Sequence, residues 1–139
     1  SQPAEREFRY DNPASAVAEE GVIRLLYLEP ELISQPLPAA EDFSAPVLAH
    51  IYSVMCDALR RGGQATTTAL SASLSGEEMS LLVSIIQKPE ALSSARQSMS
   101  DYRERIETEK ARRSAGYDYA AIARQKRSTA YDAQKKKGI

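Results

Sequence analysis

The chain has 139 residues, 42% of them hydrophobic and 27% charged, with a net charge of −1: enough apolar material for one core with an appendage. No window approaches the roughly 18 consecutive apolar residues of a membrane span, and the opening SQPAEREFRYDNP lacks the apolar middle of a signal peptide, so a soluble, cytoplasmic protein is expected. One cysteine, Cys56, excludes an internal disulfide, and a single histidine, His50, leaves no Cys/His set for zinc, so neither a metal nor a cofactor is expected.

Trp is absent, Phe occurs twice, and Ala, Ser, Leu and charged residues dominate, a balance that favours an all-α fold. The small net charge hides an asymmetry. Residues 1–87 carry five Arg against twelve acids, a net −7, whereas residues 88–139 carry thirteen Lys and Arg against seven acids, a net +6. An acidic body with a basic tail implies two parts with different tasks.

Residues 1–12 are polar and aperiodic and read as a linker or as an end left by cutting a longer protein. Asn12 and Pro13 open the first predicted helix, in which Ala14, Val17, Ala18, Val22, Leu25 and Leu26 recur at helical spacing and Pro30 ends the run. Glu31-Leu32-Ile33 then reads as a turn that tucks two aliphatics under the bundle, and SQPLPAAED as a loop.

Ser44 is placed to cap the clearest helix, residues 45–61, whose Val47, Leu48, Ile51, Val54, Met55, Ala58 and Leu59 make one broad face before Gly62-Gly63 stops it. ATTTALSASLS predicts a short surface helix with Leu70 and Leu74 inward. Ser75 with Glu78 three residues on forms a capping box ahead of a helix that carries Met79, Leu82, Val83 and Ile86 inward to Pro89.

Residues 90–114 predict a long helix with a narrow seam, Leu92, Ala95, Met99, Tyr102 and Ile106, suited to packing on one partner only. Arg112, Arg113 and Gly116 suit its C-terminal end, and residues 117–136 predict a last helix that folds back as an antiparallel hairpin. The expected division is thus 1–12 linker, 13–88 helical bundle, and 89–139 long helix with a C-terminal helical hairpin.

Catalytic constellations are missing. Gly62-Gly63 is not followed by Lys-Ser/Thr as a phosphate loop requires, and Ser75-Gly76 lacks the flanks of a nucleophile elbow. His50 reads as a helix-rim histidine, and the pairs Glu19-Glu20 and Glu77-Glu78 read as helix-start acids that answer the positive dipole end. A non-catalytic module without a small-molecule substrate is expected.

Arg103, Arg105, Lys110, Arg112, Arg113 and the cations of residues 124–137 suit phosphate contacts, but interleaved acids and the lack of Phe or Trp in this tail favour a solvated surface over direct nucleic-acid binding. Tyr117, Tyr119, Ile122 and Tyr131, set among Arg124, Arg127 and Lys135, instead suit a protein-docking surface, because tyrosine offers a large rigid contact with a polar tip.

In this order the parts resemble the C-terminal, helicase-binding domain of bacterial DNA primase of the DnaG type. The motifs that carry the resemblance are Glu20, Ile23-Arg24-Leu25-Leu26, Glu29-Pro30 and Glu31-Leu32-Ile33, followed by Phe43 ahead of the second core helix. The charged run from Glu90 and the ending Lys135-Lys136-Lys137-Gly138-Ile139 match the family's close, so the resemblance covers about residues 14–139. Gly21 inside the first helix and the Tyr-rich last helix depart from it.

The resemblance implies a bundle of about six helices and a terminal helical hairpin that docks on the N-terminal domains of the hexameric replicative helicase, recruiting primase to the primosome during DNA replication. It implies no synthesis by this chain alone, and at most weak single-stranded nucleic-acid contact through the parent protein. A rival of related fold is the N-terminal domain of the helicase itself; the Lys-Gly-Ile ending, which reads as a C-terminus, favours the primase side. A basic helical scaffold without primase parentage is the third alternative.

Overall fold

The computed structural model describes residues 10–116, which form five α-helices and two 3-10 turns and contain no strand among the described residues. The predicted last helix, residues 117–136, lies outside the described residues. The helices are α1 (Pro13–Leu28), α2 (Pro46–Arg60), α3 (Thr67–Leu70), α4 (Gly76–Ile86) and α5 (Ala95–Gly116).

α1 begins as the sequence dictates: the Asn12 side chain accepts from the Ser15 N–H at 3.1 Å, and Pro13 occupies the first helical position, where no N–H is needed. At its other end the Glu29 N–H reaches Leu25 O at 2.7 Å, and Pro30 starts a 3-10 turn, Pro30–Ser34, that buries Leu32. α1 is the central helix, touching α2, α4, α5 and that turn. Residues 18–26 are therefore buried without interruption, Glu19, Glu20 and Arg24 included, rather than along one stripe. Ala14 and Val17, expected inward, are instead exposed, Val17 at 67%, on the face of α1 that lines an open groove with Asp101, Tyr102 and Arg105 of α5.

Before α2, Phe43 stacks on Tyr52 with ring centroids 4.6 Å apart and 15° between planes, and the Tyr52 hydroxyl donates to Pro38 O at 2.6 Å. These contacts hold the loop down on α2, whose Leu48, Ile51, Tyr52, Met55 and Cys56 are buried. Ser44 is not the cap. Ala45 occupies that position without a side-chain bond, while Ser44 gives its donors to a carboxylate of α1. α2 ends as expected, with Gly62 at φ +78°; its N–H bonds Leu59 O and the Gly63 N–H bonds Ala58 O, satisfying the last carbonyls.

Thr66 caps α3, which buries Leu70, and the Ser75/Glu78 capping box opens α4 with both of its hydrogen bonds formed. α4 is rotated from the expected face: Leu81, Leu82 and Ile85 are buried, Met79 and Ile86 half-buried, and Val83 is exposed. An LLVSII run that is apolar but for Ser84 leaves periodicity unable to choose its face; contact with α1 chooses it.

α5 starts at Ala95, five residues later than expected, and Leu92 lies exposed in the irregular segment before it. Pro89 and the Ser93-Ser94 pair hold that segment out of the helix. The seam otherwise stands: Met99 and Ile106 are fully buried on α1 with Tyr102 and Ala95 half-buried, so α5 shares the core formed by α1, α2 and α4. Among the described residues no helix is long and apolar enough to cross a membrane.

Candidate functional site

The buried polar side chains of the described residues lie on α1, at its Asn12 cap or, in Glu109, against that cap. Glu19, with no solvent exposure, accepts from Ser15 Oγ at 2.6 Å, from Ser44 Oγ and N–H at 2.7 Å each, and from the Ala45 N–H at 3.2 Å. It does not answer the dipole of its own helix, as its place near the start of α1 suggests. It sits instead at the N-terminus of α2, where backbone donors and the positive end of the dipole favour a carboxylate. With its lone pairs engaged by these donors, Glu19 is a structural clip.

Towards α5 the acids and cations pair across elements. Lys88 Nζ donates to Glu20 at 2.6 Å and Tyr10 donates to the other Glu20 oxygen at 2.7 Å. Arg24 Nε donates to Glu90 at 3.2 Å, both side chains less than a tenth exposed, and the Tyr102 hydroxyl spans the two Glu90 oxygens at 3.1 and 3.0 Å. Arg24 Nη1 is buried without a partner. Further along, the buried Glu109 accepts from Asn12 at 3.2 Å and Arg112 at 2.8 Å, while Asp42 takes Lys110 on its side chain and Arg113 on its carbonyl.

Burial, reinforced by the hydrogen bond to Glu20, pushes the Tyr10 phenol above its ordinary value; burial and the Glu90 bond raise Tyr102 likewise. Burial also raises the Cys56 thiol, so this cysteine is a packed hydrophobe. Gly21 has a direct reason to be a glycine: a Cβ there would stand 2.4, 2.5 and 2.7 Å from three ring carbons of Tyr102. The ring lies flat on the α1 backbone, and α5 approaches through that gap.

His50 is exposed on the rim, with Nδ1 against the Glu78 carboxylate. Glu78 is held below the ordinary carboxylate value first by the Ser75 backbone N–H and further by His50. No group of three or more metal-ligating side chains occurs among the described residues.

The expected docking residues Tyr117, Tyr119, Ile122, Arg124, Arg127, Tyr131 and Lys135 lie outside the described residues. Of the cations weighed as phosphate contacts, Arg103 pairs with Glu107, Lys110 with Asp42, Arg112 with Glu109, and Arg113 with the Asp42 carbonyl. Those four side chains are engaged within the chain, whereas Arg105 is exposed beside the groove at Tyr102. Sequence reasoning missed the buried charges Glu20, Arg24, Glu90 and Glu109. The last was within reach, since the seam 99, 102, 106 continues by steps of 3 and 4 to Glu109 and Arg113.

Two solvent-open grooves flank α5. One, of about 360 Å³, lies between Val17 and Tyr102, rimmed by Asp101 and Arg105; the other, of about 600 Å³, runs past Glu29 and Glu31 to Ser93, Ser94 and Arg96. No protein-family model, no curated protein and no solved structure matches the chain.

Proposed function

We propose that the chain is a recruiting module, the helicase-binding domain of a bacterial DNA primase, which docks primase onto the hexameric replicative helicase. The observation that carries the reading is the place of EEGVIRLLYLEPELI in the bundle. The residues whose order resembles the family are those that build the central helix: Ile23, Leu25 and Leu26 fully buried, Pro30 ending α1, and Leu32 tucked beneath. The all-helical build and the charge split are consistent with it.

In this reading the described bundle is support, and recognition falls to residues 117–139. Tyr117, Tyr119, Ile122 and Tyr131 bury against the helicase as anchors while Arg124, Arg127 and Lys135 meet acidic groups on its surface. The cations speed encounter and the aromatics retain the partner. The module catalyses nothing itself.

Mixing the purified chain with the cognate helicase should give a complex that co-elutes on size exclusion; no complex even at low salt sinks the reading. Removing residues 117–139 should abolish binding while circular dichroism still reports a folded helical body. A tail that mainly bound single-stranded DNA would behave differently, with affinity falling steeply with salt and little effect of Tyr131→Ala.

A further inference from the structure

The α1–α5 seam is built unlike the rest of the core. Apart from the Glu19 clip at the start of α2, α1, α2 and α4 build the core mainly from Val22, Ile23, Leu25, Leu26, Leu48, Ile51, Met55, Leu82 and Ile85, side chains without a polar atom beyond one thioether. α5 contributes two fully buried apolar side chains, Met99 and Ile106, with Ala95 and Tyr102 half-covered. Its remaining ties are the Tyr102–Glu90, Asn12–Glu109 and Lys110–Asp42 contacts and the bond from Arg113 to Asp42 O.

Beneath it lie Glu20 and Arg24, taken out of water, and one guanidinium nitrogen of Arg24 has no partner to offset that cost. Buried ionic contacts of this kind fix geometry but contribute little net stability, because desolvation cancels most of the attraction. α5 has the broadest contact of any helix on α1, yet only two fully buried apolar side chains fill it and its polar part is nearly balanced, so for its extent it is held less firmly than α2 and α4 are.

Two further features give the seam a moving part. Ala91, Leu92, Ser93 and Ser94 are all exposed and irregular, whereas just upstream Lys88 and Glu90 pin the chain to Glu20 and Arg24. A pivot therefore sits between a fixed root and a helix. α5 also carries its own support, Gln97 to Asp101 at 2.8 Å and Arg103 to Glu107 at 3.1 Å, in a 22-residue helix longer than the roughly 12–15 residues at which isolated helices become marginal.

We propose that α5 is a strap that lifts from α1 as a unit about residues 91–94 while α1–α4 stay folded, so that the body alternates between a closed and an open form. The inference does not depend on the proposed partner. Its consequence is geometric: the chain runs from Gly116 directly into residues 117–139, so the strap sets where that segment leaves the body. A helix of this length reaches about 33 Å from its pivot.

The chain's three methionines make the test internal: Met99 is 1% exposed under the strap, Met55 0% exposed in the α1–α4 core, and Met79 half-buried as the accessible reference. Dilute peroxide under native conditions, read by peptide mass spectrometry, should oxidise Met99 at least about tenfold faster than Met55 despite their equal burial, since opening exposes one and not the other. Asp42→Ala, which frees Lys110, should raise the Met99 rate severalfold with Met55 unchanged. Equal rates for Met99 and Met55, or a variant that raises both together or neither, overturn the strap.

Discussion

Gly21→Ala sets two physical effects against each other. In an exposed helix interior this substitution stabilises by about 1 kcal/mol, because glycine loses more backbone freedom on folding than alanine. Here the new Cβ would stand 2.4–2.7 Å from Cζ, Cε2 and Cε1 of Tyr102, whereas carbons in contact sit about 3.5–4.0 Å apart, so the ring must withdraw by about 1 Å. Withdrawal strains a packed seam, at about 1–3 kcal/mol, and pulls the hydroxyl from Glu90, whose oxygens it holds at 3.0 and 3.1 Å, for about 1 kcal/mol more. The net expectation is destabilisation by about 1–3 kcal/mol, the packing term winning.

The cycle with Tyr102→Ala isolates the cause. On that background the gap is empty, and Gly21→Ala should stabilise by about 1 kcal/mol, a coupling of about 2–4 kcal/mol. Urea unfolding followed by far-ultraviolet circular dichroism measures all four corners. If Gly21→Ala stabilises both backgrounds alike, with coupling below about 0.5 kcal/mol, the argument that Tyr102 demands a glycine is wrong.

Three other perturbations test the rest of the body. Glu19→Ala strips four donors of their acceptor at a site with no solvent exposure and should cost about 3–5 kcal/mol, seen in the urea midpoint, whereas a loss below about 1 kcal/mol denies it the role of clip. The phenols of Tyr10, Tyr52 and Tyr102 and the thiol of Cys56 are raised by burial, from ordinary values of 10.0 and 9.0. The folded state thus favours their neutral forms, and the stability they add is complete at neutral pH and lost as the unfolded groups ionise. The urea midpoint should fall as pH rises past about 9, and a midpoint flat to about pH 11 contradicts this. Glu78 is shifted the opposite way, below 4.5, so its contribution is present above that pH and disappears in acid. Glu78→Gln should cost up to about 1 kcal/mol at neutral pH and flatten the loss of stability on acidification; an unchanged acid limb would show that the capping carboxylate is not responsible.

Local physical chemistry settled the elements of this protein. Asn12-Pro13 and Pro30 delimit α1, Gly62 ends α2 in the left-handed region, and Ser75 with Glu78 opens α4, each within a few residues of where sequence rules put it. These devices act through bonds spanning at most five residues, so the information lies in the string itself. Where Leu81 and Ile85 displaced Val83 from the core, the string held no answer, since an almost wholly apolar run has no preferred face until a neighbour supplies one.

The charges needed the tertiary structure still more. Glu19 looks like an acid at a helix start and is a clip for another helix 25 residues away; Glu20, Arg24, Glu90 and Glu109 look like solvent-facing polar residues and are buried. A charge is buried only when a partner from elsewhere in the chain meets it, as Lys88 meets Glu20 and Asn12 meets Glu109, and that pairing follows from how helices pack. Gly21 lies between the two kinds. The sequence alone marks it as an oddity in a helix, and only the Tyr102 ring laid across it gives the reason: two helices come closest where one of them has no side chain.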